Sequence, residues 1–183
     1  MAQGKMAKKD HSRWFNTTVG EFVEAVYEAA MEEYMNFTLQ PLIGREVDEV
    51  NSWMEVVLRQ DIVPRLFPQG QARLAWHRDR GDRIVLISAS GEHIVKPIAK
   101  YMGIDDVIAI NLAQVEGCYT GKTEGVLSYQ AGKVIRLQEW LSNKPHSLED
   151  SYGYSDSIND VPLLNTVANS WAINPGDKLS AIA

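Results

Sequence analysis

Cysteine, basic charge and long apolar runs are all scarce in this sequence, and each scarcity excludes something. The single cysteine, Cys118, cannot form an internal disulfide, which is typical of a reducing compartment. Acidic residues outnumber basic ones by 24 to 18, whereas a nucleic-acid-binding domain normally carries a basic excess. No stretch approaches the roughly 18 apolar residues of a transmembrane helix, and the polar N-terminus lacks the apolar region of a signal peptide. We expect a cytoplasmic protein with neither a nucleic-acid nor a membrane partner.

The remaining composition is that of a folded globular protein, with 45% apolar and 23% charged residues among 183. Residues 1–16 are polar and show no periodicity, which predicts a loose N-terminal tail. Residues 17–80 have helical periodicity, and residues 81–183 alternate between strand and helix patterns. This order predicts an α/β core with a parallel sheet, preceded by a helical region.

Individual elements follow from the spacing of apolar residues. Intervals of three and four predict helices, short continuous apolar runs predict strands buried on both faces, and the glycine-containing alternation of 112–129 predicts a hairpin. The helices are expected from Thr18 through Tyr34 and at Val47–Val63, Gln69–Arg80, Glu92–Met102, Lys133–Leu141 and Val161–Val167, and the strands at Arg83–Ser88, Val107–Ile110, Ser151–Ser155 and Ser170–Ile173.

The first candidate binding residues follow the first predicted strand, because ligands of parallel α/β proteins sit beyond the carboxyl ends of strands. Here Ser88-Ala89-Ser90-Gly91 combines small residues with the free N–H groups of a helix N-terminus, which suits an anion. For Ser90 taken alone, capping the helix is the better-supported interpretation. The end of the second predicted strand offers only Asn111.

A second group of candidates follows the third predicted strand. Asp156 and Asp160 lie four residues apart with Asn159 between them, and two such carboxylates can converge on one hard cation. The simpler alternative, an Asx turn leading into the helix at Pro162, needs one aspartate rather than two. Lys133 begins another helix and is long enough to neutralise a phosphoryl group in the same crevice, although most lysines are simply solvated.

Four segments resemble, in order and spacing, the haloacid dehalogenase superfamily, in particular its subfamily IB, the phosphoserine-phosphatase-like branch. They are IVLISASGEHIVKPIAKYMGI, VEGCYTGKTEG, AGKVIRLQEWL and YGYSDSINDVPLL, and they are similar to that family's second, third and fourth motifs. They lie between Arg83 and Asn174, about half of the chain. The resemblance implies a Rossmann-like parallel sheet in residues 81–183, with residues 17–80 as a helical cap.

The resemblance also implies roles for residues. Ser88 would donate a hydrogen bond to the transferring phosphoryl group, and Lys133 would neutralise its charge and hold the nucleophile. Asp156 would bind Mg²⁺, and Asp160 would support the ion directly or through water. The implied reaction is Mg²⁺-dependent phosphomonoester hydrolysis through an aspartyl-phosphate, on a small phosphorylated metabolite such as phosphoserine or histidinol phosphate. The implied phosphate-binding residues are Ser88, Ser90, Gly91, Lys133 and Asn159.

The sequence departs from the family in one respect. The family's nucleophile lies in a first motif, a strand ending Asp-x-Asp-x-Thr, and no Asp-x-Asp occurs in these 183 residues. We therefore expect a truncated or mis-started product, or a degenerate paralogue, with negligible phosphatase activity. A sheet without its central first strand has two unpaired edges, which predicts low stability, aggregation or a homodimer formed through the gap.

Two other functions remain open on this fold. A non-catalytic member would bind phosphate or a partner without turnover, whereas carbon–halogen hydrolysis is disfavoured because Asp156 and Asp160 indicate a metal that this reaction does not use. If the sheet forms, we expect Ser88, Lys133 and both aspartates to converge on one pocket facing the cap. Lys133 is then expected within salt-bridge reach of Asp156 or of the nucleophile position.

Overall fold

The computed structural model describes residues 4–5 and 29–182. The chain divides into two compact units, which we call the middle unit (Glu32–Leu127) and the terminal unit (Met1–Met31 with Ser128–Ala183). In chain order the elements are β1 (Gly4–Lys5), α1 (described over 29–38), a 3₁₀ turn (Gln40–Leu42), α2 (Val47–Val57), a π turn (Leu58–Ile62), a 3₁₀ turn (Val63–Arg65), α3 (Pro68–Asp79), β2 (Val85–Gly91), α4 (Glu92–Tyr101), β3 (Asp106–Val115), β4 (Cys118–Glu124), α5 (Ala131–Ser142), β5 (Tyr152–Ser155), a 3₁₀ turn (Ile158–Asp160), α6 (Val161–Thr166), β6 (Asn169–Ala172) and α7 (Asp177–Ser180).

The helices before β2 form where the apolar spacing predicts them, with differences in bounds and in the buried face. α1 runs past its predicted end at Tyr34 to residue 38. Tyr34, on the predicted face, is 60% exposed, whereas its neighbour Met35 is 4% exposed, so the buried face differs from the predicted one. In the second predicted helix, the α-helical part ends at Val57. The chain then continues through the π turn and a 3₁₀ turn that contains Pro64. Proline has no N–H to donate and its ring crowds the preceding turn, so the α-helical ladder cannot run through this position.

The sheet of the middle unit has the order β2-β3-β4. β2 and β3 are parallel, and β3 and β4 form the predicted hairpin. Its turn is Glu116-Gly117, with φ of +51° and +78°, the two left-handed residues of a tight hairpin connection. β3 is a single strand that serves both partners, so the prediction that a strand ends at Ile110 is wrong. Asn111 lies inside this strand and not at a strand end.

β2 also differs from its predicted bounds, since it continues past Ser88 to Gly91. Gly91 occupies the position before α4, and no side chain caps this helix. The expected capping role of Ser90 is therefore wrong. The backbone stays extended through the small residues 88–91 and turns directly into α4.

The terminal unit pairs its strands in the order β1-β6-β5, with β5 and β6 parallel and β1 antiparallel to β6. Leu164 of α6, Ala172 and Leu179 are each 1% exposed and form the core against which Val161 packs. Gly153 lies opposite α6, where a Cβ atom would come within 2.8 Å of a methyl group of Val167. The absence of a side chain at this position allows the strand and the helix to approach closely.

The α/β class and the parallel pairing are confirmed, although the described strands form two sheets. In the described part of the chain, β2 has a partner on one side only, and so does β5. Most of the predicted tail, and the predicted helix start at Thr18, lie outside the described residues. The division into a cap of residues 17–80 and a core of 81–183 stays a prediction. Among the helices that are described, none is long and apolar enough to span a bilayer.

Candidate active site

The junction of β2 and α4 holds the first group of predicted site residues. The Ser88 hydroxyl oxygen accepts the backbone N–H of Ser90 at 3.1 Å, and no acceptor for its own hydrogen lies among the described residues. Gly91 is buried, and an ideal Cβ placed there would lie 2.6 Å from Nδ1 of His93. The position of Gly91 therefore leaves no room for a side chain unless His93 moves. The hydroxyl hydrogen of Ser88 remains available to donate.

Two ionisable residues at the start of α4, Glu92 and His93, are not among the candidates predicted from the sequence. Glu92 is 9% exposed; it accepts the N–H of Leu112 at 3.0 Å and pairs with Lys96. The ring of His93 is partly buried, which lowers its pKa, and its Nδ1 has no partner among the described residues. The signal available in the sequence was a glutamate in the first turn of a helix, which is also the commonest surface pattern.

The terminal unit contains a buried ion pair at the predicted active-site lysine. Lys133 Nζ donates to Asp160 Oδ1 at 2.5 Å, and the two side chains are 7% and 12% exposed. Ser155, the last residue of β5, donates its hydroxyl to Asp160 Oδ2 at 2.7 Å. Each carboxylate oxygen of Asp160 thus accepts one hydrogen bond. The ammonium group of Lys133 has two further hydrogens, which have no partner among the described residues.

The local sequence explains how these three groups meet. Lys133 lies in the first turn of α5, while Ser155 and Asp160 lie on either side of the loop that links β5 to α6. Ser157 shapes this loop, because its hydroxyl accepts the N–H of Asn159 at 3.2 Å and its carbonyl accepts the N–H of Asp160. The cap of the short 3₁₀ turn is thus a serine and not the aspartate of an Asx turn.

Asp156 differs from Asp160 in its exposure and in its hydrogen bonding. It directly follows β5, its side chain is exposed, and no hydrogen bond or ion pair involves its carboxylate among the described residues. Of the two positions expected within salt-bridge reach of Lys133, Asp156 forms no ion pair with it, because the lysine pairs with Asp160. Its reach to the nucleophile position stays a prediction. The buried Lys133 thus pairs with the buried carboxylate of Asp160, and the carboxylate of Asp156 remains exposed to solvent.

Asn159 completes the group in the terminal unit. Its Oδ1 accepts hydrogen bonds from the Tyr129 hydroxyl at 3.4 Å and from Gln130 Nε2 at 3.2 Å. Tyr129 and Gln130 were not candidates, because a tyrosine and a glutamine in a loop carry no spacing signal. Lys133, Asp156, Asn159 and Asp160 thus belong to one unit, while Ser88, Ser90 and Gly91 belong to the other. Convergence of the two groups on one pocket stays a prediction.

The carboxylate of Asp156 is the predicted ligand of a divalent cation in the terminal unit. Within the residues that the structure describes, no group of three or more His, Cys, Asp or Glu side chains could hold a metal. Asp156 offers a free, exposed carboxylate of the kind that Mg²⁺ prefers. Both oxygens of Asp160 are already engaged. The donor available to a cation at this position is thus the carboxylate of Asp156, and Mg²⁺ binding there stays a prediction.

Comparison with known proteins places the chain in a family. A model of haloacid dehalogenase-like hydrolases matches residues 7–165. The chain is 31% identical over 153 residues to a histidinol-phosphatase of Neisseria meningitidis, which covers 81% of this chain and 69% of that protein. It is 28% identical over 140 residues to a phosphoserine phosphatase of Mycobacterium tuberculosis, covering 76% and 46%. The chain belongs to the haloacid dehalogenase-like hydrolases, and it spans about half the length of the mycobacterial relative.

Solved structures agree on the fold. A protein of unknown function from Bordetella pertussis Tohama I superposes with a TM-score of 0.80 at 34% identity, covering 90% of this chain and 76% of that one. A phosphoserine phosphatase with an analogue of its phospho-aspartyl intermediate superposes with a TM-score of 0.61 at 20% identity, covering 90% and 78%. The predicted resemblance and the predicted Rossmann-like fold class are confirmed.

Proposed function

We propose that the site around Lys133 binds the phosphoryl group of a small phosphorylated metabolite and serves Mg²⁺-dependent phosphomonoester hydrolysis. The observation that carries the proposal is the buried pair of Lys133 and Asp160, locked by Ser155. Pairing with Asp160 holds the charge of the buried lysine in one place, because removing either partner would leave the other charge buried and unpaired. Its two remaining hydrogens, together with the free amide of Asn159, can donate to the oxygens of an anion.

Each residue has a distinct part in this proposal. Lys133 neutralises charge on the phosphoryl oxygens, and Asp160 holds the lysine in place. Asp156 is the proposed Mg²⁺ ligand, and the ion would supply positive charge next to the phosphoryl group when bound. Ser88, Ser90 and Gly91 are proposed as phosphate-binding residues, a role that rests on the family motif.

Substrate candidates come from the relatives. One is named as a histidinol-phosphatase and another as a phosphoserine phosphatase, so histidinol phosphate and phosphoserine are the first metabolites to try. Both are small phosphomonoesters that carry an amino group. The choice between them depends on residues that contact this part of the substrate.

A second candidate function, phosphate or partner binding without turnover, is favoured by one observation. Hydrolysis through an aspartyl-phosphate requires a carboxylate nucleophile, and the sequence contains no Asp-x-Asp. Loss of a nucleophile lowers the rate by orders of magnitude while other groups still bind the substrate. For the 183-residue chain we therefore expect phosphate binding with turnover close to background.

The test combines turnover with binding. Hydrolysis of p-nitrophenyl phosphate, histidinol phosphate and phosphoserine is measured with and without Mg²⁺, and calorimetry measures binding of inorganic phosphate. The variant is Asp156→Asn, and Asp150→Asn, at another exposed aspartate, is the matched control. We expect Mg²⁺ to strengthen phosphate binding in the wild type and in the control, and not in Asp156→Asn. Absence of phosphate binding would contradict the proposed function, and Mg²⁺-dependent turnover would show that another carboxylate is the nucleophile.

A further inference from the structure

The residue before α5, Gln130, has a backbone conformation that glutamine rarely adopts. Its φ is +46° and its ψ is −119°, and the carbonyl of Tyr129 accepts the N–H of Gly132 at 2.9 Å. This is a tight turn of the type that normally has glycine at its first central position. A residue with a Cβ atom in such a conformation costs on the order of 1–3 kcal/mol, so the side chain is kept at a cost in stability.

The side chain of Gln130 accounts for that cost. Its Nε2 donates to Asn159 Oδ1 at 3.2 Å and to the Tyr129 hydroxyl at 3.3 Å. The Tyr129 hydroxyl in turn donates to the same Oδ1 at 3.4 Å. Two donors therefore converge on one oxygen, and all three side chains are partly buried.

This arrangement fixes which face of the Asn159 carboxamide is available. Its oxygen accepts two hydrogen bonds, and its backbone N–H is held by the Ser157 hydroxyl at 3.2 Å. Its Nδ2 has no partner among the described residues, and the side chain is partly exposed. A flipped amide would bring two NH₂ groups face to face, which the donors of Gln130 disfavour. The amide hydrogens of Asn159 are thus free for an acceptor.

We propose that Gln130, assisted by Tyr129, is a positioning residue that fixes the Asn159 amide so that its N–H groups donate to an anionic oxygen of the phosphoryl ligand. The inference rests on the proposed function, because it requires Asn159 to bind phosphate. It explains why a strained glutamine stands where glycine would be more stable. Fixing the carboxamide before binding removes the cost of ordering it when the ligand arrives.

The test separates the side chain of Gln130 from its backbone. Gln130→Gly removes the donor and relieves the strain, Gln130→Ala removes the donor and keeps the strain, and Gln138→Ala, at an exposed position of α5, is the matched control. The probe is inorganic phosphate, titrated into ¹⁵N-labelled protein. The readout is the side-chain amide signal of Asn159, assigned by its loss in Asn159→Ala. Urea unfolding of each variant measures stability.

We expect phosphate to shift the Asn159 amide signal in the wild type and in Gln138→Ala. In Gln130→Gly the protein stays folded and is at least as stable, while phosphate binds about fivefold more weakly, as expected for one lost hydrogen bond. Gln130→Ala loses the same affinity and is less stable than Gln130→Gly. Wild-type phosphate affinity in both Gln130 variants would overturn this inference alone. Phosphate binding by the wild type without a shift at Asn159 would also overturn it, and absence of phosphate binding would overturn the proposed function with it.

Discussion

Breaking the pair of Lys133 and Asp160 from one side is expected to cost more stability than replacing both residues. The Nζ–Oδ1 distance is 2.5 Å and the side chains are 7% and 12% exposed, so both charges are largely removed from water. Removing one partner of a buried ion pair costs about 3–5 kcal/mol, because the other charge stays buried and unpaired. Replacing both partners by neutral groups of similar size is often close to neutral.

A double-mutant cycle measures this difference. Lys133→Met and Asp160→Asn are made singly and together, since the carboxamide introduced by Asp160→Asn retains an acceptor for the Ser155 hydroxyl. We expect each single variant to lose about 3 kcal/mol and the double variant about 1 kcal/mol, which gives a coupling of several kcal/mol. With an m-value of about 2 kcal/mol/M, a single loss moves the urea midpoint down by about 1.5 M.

The control for this cycle is Lys178→Met, at an exposed lysine of the same unit. Its midpoint is expected to stay within the range of ordinary surface substitutions, about 0.5 kcal/mol. Single losses below about 1 kcal/mol, or losses that add within about 0.5 kcal/mol in the double variant, would refute the buried pair.

Two further predictions concern packing and pH. Gly153→Ala places a methyl group 2.8 Å from Val167, so we expect a loss of about 1–3 kcal/mol in urea unfolding, and a loss below about 0.5 kcal/mol would contradict the close approach of β5 and α6. Burial lowers the pKa of His93 and Glu92 partly opposes this, so below about pH 6.5 the unfolded chain takes up a proton that the folded His93 does not. The free energy of unfolding is therefore expected to fall as the pH drops from about 7 to about 5. This fall is expected to be less steep in His93→Gln, whereas the control His146→Gln, at an exposed position, keeps the wild-type dependence on pH. The same dependence on pH in all three proteins would contradict the burial of His93.

The order of elements was predictable because each is encoded locally. The apolar runs of β2 and β3 and the alternation of the hairpin are patterns of neighbouring residues, and Glu116-Gly117 is a recognisable turn. The end of β3 was not predictable, because the strand changes partner in its middle, from parallel β2 to antiparallel β4. The apolar run stops near Asn111, yet the backbone hydrogen bonds continue through the hairpin.

The candidate site was predictable where a charged residue or a family motif marks it. Lys133 and Asp160 stand out in the sequence, and the structure brings them together. The residues that hold them do not stand out, because Ser155 and Gln130 act through hydrogen bonds that depend on the tertiary fold. The strain at Gln130 in particular is visible only in its backbone angles.

The central claim is that the terminal unit binds a phosphoryl group through Lys133 and Asn159. Calorimetric titration of the 183-residue protein with inorganic phosphate in the presence of Mg²⁺ tests this claim most directly. The variants are Asn159→Ala and, as a matched control on an exposed asparagine, Asn143→Ala. We predict saturable binding by the wild type and by Asn143→Ala, and binding weakened at least about fivefold in Asn159→Ala. Absence of saturable binding, or equal affinity in all three proteins, would contradict the account.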